Sequence, residues 1–246
     1  MTVALEGWAV SQFTAAGLTR DVYRKGNGPL VVVVHEVPGI TPKVIAFAEE
    51  VVAQGFSVSM PSLVGTPGRG FSNGYAAASL LKVCVAKEFT SLAVGRTSPV
   101  IAFLRALAKN DHTHAGGRGV GAVGMCFSGG FALGMMLDEI MVAPVLSQPS
   151  LPFPVGARRA RDLNLSPDDA EIIARRAAGG CQVLGLRYDA DKLVGDRFSA
   201  LRDLLGEAFV AVELPSANKS DHSVLTEQRH EESVQRVLAF FREKLL

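Results

Sequence analysis

The sequence predicts an α/β fold: a mostly parallel sheet of about eight strands with helices on both faces. Three observations predict it. Short apolar runs alternate with longer amphipathic segments from residue 30 to the C-terminus. Runs such as LVVVV and VGAVGM show no in-and-out alternation, the pattern of strands buried on both sides. Three amphipathic segments open on a hydroxyl residue followed by proline, at Thr41-Pro42, Ser98-Pro99 and Ser166-Pro167. No composition shift, repeat or low-complexity tract divides the chain, so residues 1–246 read as one domain.

In chain order, WAVSQF and LTRDVYRKG read as an antiparallel pair at one sheet edge, closed by the turn signal GNG. Leu30 to Val34 is the first buried strand. A helix follows from Thr41, with Val44, Ile45, Ala48, Val51 and Val52 on one face and Gly55 at its end. FSVSMPS is a strand. Residues 65–95 carry the weakest pattern, with early glycines and a helix expected around SLLKVCVAKEF. TSPVIAFLRALAKN is a helix, HTHAGGRG a loop and VGAVGM a strand. FSGGFALGMML is a helix, IMVAPVLS a strand, SPDDAEIIARRAAGG a helix and CQVLGLRY a strand. DRFSALRDLLGE and AFVAVELP add a helix and a strand, and SVLTEQRHEESVQRVLAFFREKLL closes the chain as an amphipathic helix opened by His222. His230 then falls two turns into that helix, at its surface. The proline-bearing stretch SQPSLPFPVGARRARDLNLS has the composition of a lid loop.

Of the 246 residues, 48 % are apolar and 20 % charged, a globular balance. A net charge of +1 gives no electrostatic case for nucleic acid or an anionic membrane. No stretch reaches the roughly 18 apolar residues of a membrane span, and the N-terminus has no basic region of the signal-peptide kind. Cys84, Cys126 and Cys181 form neither a disulfide framework nor a metal-ligand spacing. The expectation is a cytoplasmic enzyme acting on a small molecule, with no cofactor and no metal.

In parallel sheets ligands bind beyond the carboxyl ends of the strands. The residues there are His35 and Glu36, Cys126, Ser147 and Gln148, Asp189 and Asp191, and His222. The string VGAVGMCFSGGFALGMM sets Cys126 between a strand and a helix, with Gly124 two residues before and Gly129 three after. A nucleophile on such a turn needs small neighbours, because strand and helix backbones nearly touch. The helix would also aim its N-terminal amides at a thiolate or an oxyanion. Ser128 occupies the place where glycine is usual. A shifted register would make Ser128 the nucleophile, flanked by Cys126 and Gly130. An inert buried thiol or a phosphate-binding loop would also suit a glycine-rich crossing, although the dinucleotide pattern is incomplete and lies mid-chain.

A catalytic thiol needs a base, and the base an orienting carboxylate. Asp189 and Asp191 follow one strand and His222 follows the last, giving the chain order nucleophile, acid, histidine of α/β-hydrolases. Asp221 reads equally as a cap, and His112 and His114 as loop residues.

With those motifs in place, the sequence resembles the dienelactone hydrolase family from about Pro29 onward. HEVPGI resembles the family segment with an acidic residue after its third strand, matching Glu36; GMCFSGG resembles its cysteine elbow, matching Cys126. DKLV resembles its aspartate segment and selects Asp191 over Asp189, and DHS resembles its histidine loop, matching His222. The resemblance implies acyl transfer to Cys126 followed by thioester hydrolysis with His222 as base. It implies an oxyanion hole of the Phe127 and Val37 amides, and a Glu36 that hydrogen-bonds the resting thiol and helps switch it to thiolate. Family members hold a substrate carboxylate with arginines, one of them four residues after the histidine; Thr226 stands there. Arg96 and Arg187 are the candidate substitutes, and the expected substrate is a small ester or lactone. A non-catalytic or redox-sensing binder and an isomerase using the thiolate are the competing readings.

Overall fold

The computed structural model describes residues 5–246. Its eight strands are β1 (Ala9–Ala15), β2 (Leu18–Lys25), β3 (Leu30–Val34), β4 (Ser57–Pro61), β5 (Val120–Met125), β6 (Met141–Ser147), β7 (Val183–Tyr188) and β8 (Phe209–Leu214). They form one sheet in the order β1-β2-β4-β3-β5-β6-β7-β8. β1 and β2 pair antiparallel, with Ala9 opposite Arg24, and β2 joins β4 antiparallel. Every pairing from β4 to β8 is parallel. The expected edge pair and parallel body are both present.

The helices are α1 (Pro42–Ala53), α2 (Asn73–Val85), α3 (Pro99–Ala115), α4 (Phe131–Gly134), α5 (Ala157–Ala160), α6 (Pro167–Ala178), α7 (Arg197–Leu205) and α8 (Glu231–Leu245). Successive strand residues feed two separate apolar clusters. Val31, Val33, Val123 and Val145 pack under α1 and α8. Val32, Val34, Ala122 and Leu146 pack under α3, α4, α6 and α7. Buried area of this kind stabilises by about 25 cal/mol per Å², and each face is sealed by helices.

Thr41 caps α1 by accepting from the Val44 amide, and Ser166 caps α6 by accepting from Asp169. Four boundaries differ from the sequence reading. α2 begins at Asn73, capped by Ser72, several residues before the expected SLLKVCVAKEF helix. α3 continues through His112 and His114 to Ala115, so the first half of the expected HTHAGGRG loop is its last turn; Gly116 (φ 68°) ends it. The helix expected after Cys126 is broken into a 3₁₀ turn (Cys126–Ser128), the single turn of α4, and a second 3₁₀ turn (Met135–Leu137). α8 begins nine residues after His222, which lies in a loop. His230 is the α8 cap, its Nδ1 accepting from the Ser233 amide, and not a residue inside the helix. No helix among the described residues is long and apolar enough to cross a membrane.

Candidate active site

The turn after β5 is sharp for a sequence-coded reason. Cys126 has φ 57°, a left-handed conformation in which few side-chain-bearing residues sit. A Cβ on Gly124 would stand 2.1 Å from the Ser128 carbonyl oxygen, and one on Gly129 would stand 2.5 Å from the Cα of Pro149. Gly124 lets strand and following turn touch, and Gly129 lets that turn lie against the end of β6 and the chain beyond it. Ser128 is wholly buried; its hydroxyl accepts from the Met125 amide (2.9 Å) and shares its proton between the carbonyls of Val34 (2.9 Å) and His35 (3.0 Å). The serine in the usual glycine place is thus a clasp between β3 and the turn, while Cys126 is half-buried at the strand edge.

His222 and Asp191 arrive from the loops after β8 and β7. The Asp191 Oδ2 lies 2.6 Å from His222 Nδ1, and its Oδ1 accepts from the Leu193 amide at 2.9 Å. Asp191 is 6 % exposed and His222 half-buried. His222 Nε2 is buried without a partner in full hydrogen-bond geometry, and the Cys126 sulfur is close enough to act on the ring's charge. Burial opposes the imidazolium, but Cys126 and the hydrogen bond to Asp191 outweigh it and raise the His222 pKa well above its ordinary value. Asp189 instead faces solvent and accepts from the Ser216 amide at 3.0 Å. Asp221 accepts from the amides of Ala217 and Asn218 and shapes the histidine loop.

Glu36 departs from its expected contact. It is 2 % exposed, and its carboxyl accepts from Ser223 Oγ (2.8 Å), from Gln148 Nε2 (3.2 Å) and from Thr226 Oγ1. Among the described residues it makes no hydrogen bond to Cys126. Burial raises its pKa; the Thr226 and Ser223 hydroxyls and the charge of His222 pull the other way. His35 beside it is buried and neutral. Its Nε2 accepts from the Leu63 amide (3.0 Å), so its Nδ1 donates to the Glu36 carbonyl (2.8 Å). Burial lowers the His35 pKa to about 4.

The remaining expected positions divide. Phe127 lies in the first 3₁₀ turn after β5, where backbone amides lack internal acceptors. Val37, half-buried between β3 and α1, has an amide that donates to no group recorded among the described residues. Arg187 does not reach a ligand position. Its guanidinium is committed to Glu213 (Nε to Oε2 2.7 Å) and to the Gly195 carbonyl (3.3 Å), and it lies over the Phe198 ring. Arg96 is exposed on the turn before α3, beside Gly95, whose amide is held by Asp162. The sequence reading assigned no role to Gln148, Ser223 or Thr226 around Glu36. The available signal was their placement, one at a strand end and two just after the histidine.

Sheet order, elbow and loop-borne histidine define an α/β-hydrolase. A model of the dienelactone hydrolase family matches residues 18–150, more than half of the chain. The chain belongs to that family and is a hydrolase acting on ester bonds. Solved structures share its fold over nearly the whole length. A dienelactone hydrolase-like promiscuous phosphotriesterase from metagenomic libraries is 18% identical, covering 97% of this chain and 98% of its own, with a TM-score of 0.65. A dienelactone hydrolase from Anabaena variabilis is 14% identical, with coverages of 97% and 98% and a TM-score of 0.64. A cold-adapted esterase from an Arctic intertidal metagenomic library is 16% identical, with coverages of 100% and 97% and a TM-score of 0.62. No curated protein matches the chain.

Proposed function

We propose that the protein hydrolyses a small ester or lactone through a Cys126–His222–Asp191 triad and a thioester acyl-enzyme. The observation that carries the reading is the line from Asp191 through the His222 ring toward the thiol on its left-handed turn. His222 Nε2 takes the Cys126 proton, and sulfur forms a bond to the ester carbonyl carbon. The carbonyl electron pair moves onto oxygen, where the amides of Phe127 and Val37 would hold it; one such donor is typically worth about 2.7–4 kcal/mol. The C–O bond then breaks, and the leaving alkoxide takes the proton from His222. Water, deprotonated by His222, attacks the thioester and releases the acid and the thiol. The three cysteines are free thiols, in keeping with a reducing, cytoplasmic setting.

The test is an activated-ester assay on the wild type and Cys126→Ala, paired with intact mass after brief exposure to the ester. The reading expects loss of turnover in the variant and an acyl adduct on Cys126 in the wild type. Turnover that survives in Cys126→Ala overturns it, and inertness of the wild type toward esters, thioesters and lactones points to a binding or redox-sensing role.

A further inference from the structure

We infer that Gln148 is a positioning residue that holds the Glu36 carboxyl away from the Cys126 thiol and against the loop behind His222. The inference rests on the reading of Cys126 as the reactive thiol. Gln148 directly follows β6 with φ 36°, a region disfavoured for any residue with a Cβ, and is fully buried. Its backbone is pinned on two sides. The Gln148 amide donates to the Leu186 carbonyl of β7 at 2.7 Å, the strand that leads to Asp191. Its carbonyl accepts from Ser150 Oγ at 2.8 Å, and the Ser150 amide donates to the Cys126 carbonyl at 3.0 Å. One glutamine therefore ties the acid's strand to the nucleophile's turn.

The orientation of its side chain is equally determined. A carboxamide presents one acceptor and one donor end. Ser147 Oγ donates to the oxygen end, Oε1, which turns Nε2 onto Glu36 Oε2 at 3.2 Å. Ser223 Oγ donates to the same carboxyl oxygen and Thr226 Oγ1 to the other. Both oxygens of Glu36 thus face donors other than the thiol, and all three donors are uncharged. The ionisable groups around this cage are His222, whose charge favours the carboxylate, and Glu227, which opposes it. Asp191 stands behind the His222 ring, and His35 beside Glu36 is neutral. Removing the Gln148 donor leaves a buried carboxyl oxygen one donor short and frees the carboxyl to turn toward the thiol, which shares with it the neighbouring His222 ring.

The experiment follows alkylation of Cys126 by iodoacetamide against pH, read as modified Cys126 peptide by mass. A Cys84→Ser background removes the exposed thiol. A carboxylate swung toward the sulfur disfavours thiolate, so Gln148→Met should move the alkylation midpoint up by about half a pH unit or more. Glu36→Gln combined with Gln148→Met should return the midpoint to that of Glu36→Gln alone, which a purely structural role for Gln148 would not produce. Thr226→Val, which frees the other carboxyl oxygen, should show the same Glu36-dependent shift and serves if Gln148→Met does not fold. An unmoved midpoint, or a shift that persists with Glu36→Gln, overturns the inference. Alkylation needs no turnover, so failure of the ester assay leaves this test intact.

Discussion

Asp191 Oδ2 lies 2.6 Å from His222 Nδ1, so the carboxylate fixes Nδ1 as the protonated nitrogen and leaves Nε2 for the thiol. Asp191→Asn keeps the shape but offers a donor amide or a weaker acceptor, which permits the wrong tautomer. We expect kcat for an activated ester to fall about 10²–10⁴-fold, the usual worth of a positioned base. The His222 pKa should fall toward its ordinary value as its charge partner is lost, read by NMR titration of the ring. A fully active Asp191→Asn would remove Asp191 from the proposed triad.

Ser128 is the sharpest test of the turn. Its hydroxyl satisfies the buried Met125 amide and closes onto β3. Ser128→Ala should cost about 1–3 kcal/mol of unfolding free energy, the price of an unsatisfied buried donor, while ester turnover persists at the wild-type order of magnitude. Loss of turnover with unchanged stability would revive the shifted register.

The parallel sheet and the turn that carries Cys126 were legible because they rest on local signals: unbroken apolar runs, hydroxyl–proline caps and small residues around Cys126. What was not legible depended on distant partners. Thr226 reads as a missing arginine in the sequence; only the folded loop shows its hydroxyl on Glu36, 190 positions away. Glu36 itself was expected at the thiol, but Ser223 and Gln148 reach it from two other loops and turn it aside. The apolar and charged residues after His222 imitate helix periodicity. The chain nevertheless stays in turns until His230: the Ser223 carbonyl accepts from the Thr226 and Gln228 amides, and the Val224 carbonyl from the His230 amide.

His35 makes stability depend on pH. Its pKa in the folded chain is about 4, against about 6.5 unfolded, because burial disfavours the charged ring. Between those values the unfolded state binds a proton that the folded state does not. The contribution is therefore complete above about pH 6.5 and is lost as pH falls toward 4. Denaturant melts at pH 7 and pH 5 should show the wild type losing stability on acidification, and His35→Asn losing less over the same interval. Equal losses in the two proteins would show that other groups carry the acid sensitivity.

Arg197 is buried (1 % exposed) without a bonded carboxylate. Its guanidinium donates to the carbonyls of Leu151, Pro152, Arg159, Asp162, Leu193 and Val194. It joins the loop after β6 to the loop that carries Asp191, and burial lowers its pKa to about 10. Arg197→Met leaves those carbonyls unpaired and should cost about 3 kcal/mol or more in denaturant unfolding. Arg197→Lys, retaining charge but not the fork, should recover part of the loss. A neutral Arg197→Met would mean that water replaces the guanidinium at no cost.

The charge pattern around Glu36 bears on substrate choice. A substrate carboxylate needs a fixed cation to offset its desolvation. Arg187 is engaged by Glu213, and Thr226 presents a hydroxyl to Glu36. Glu36 is next in sequence to Val37, whose amide is proposed to hold the oxyanion, so an anionic substrate would enter beside a buried acid with no bonded guanidinium. Neutral esters should therefore exceed carboxylate-bearing esters of equal size and leaving group by at least about tenfold in kcat/KM, a difference of roughly 1.4 kcal/mol. Glu36→Gln should narrow that gap by improving the anionic ester. A preference for the anionic ester would require a cation that closes over the site, and Arg96→Ala would then abolish the preference if that exposed side chain supplies it.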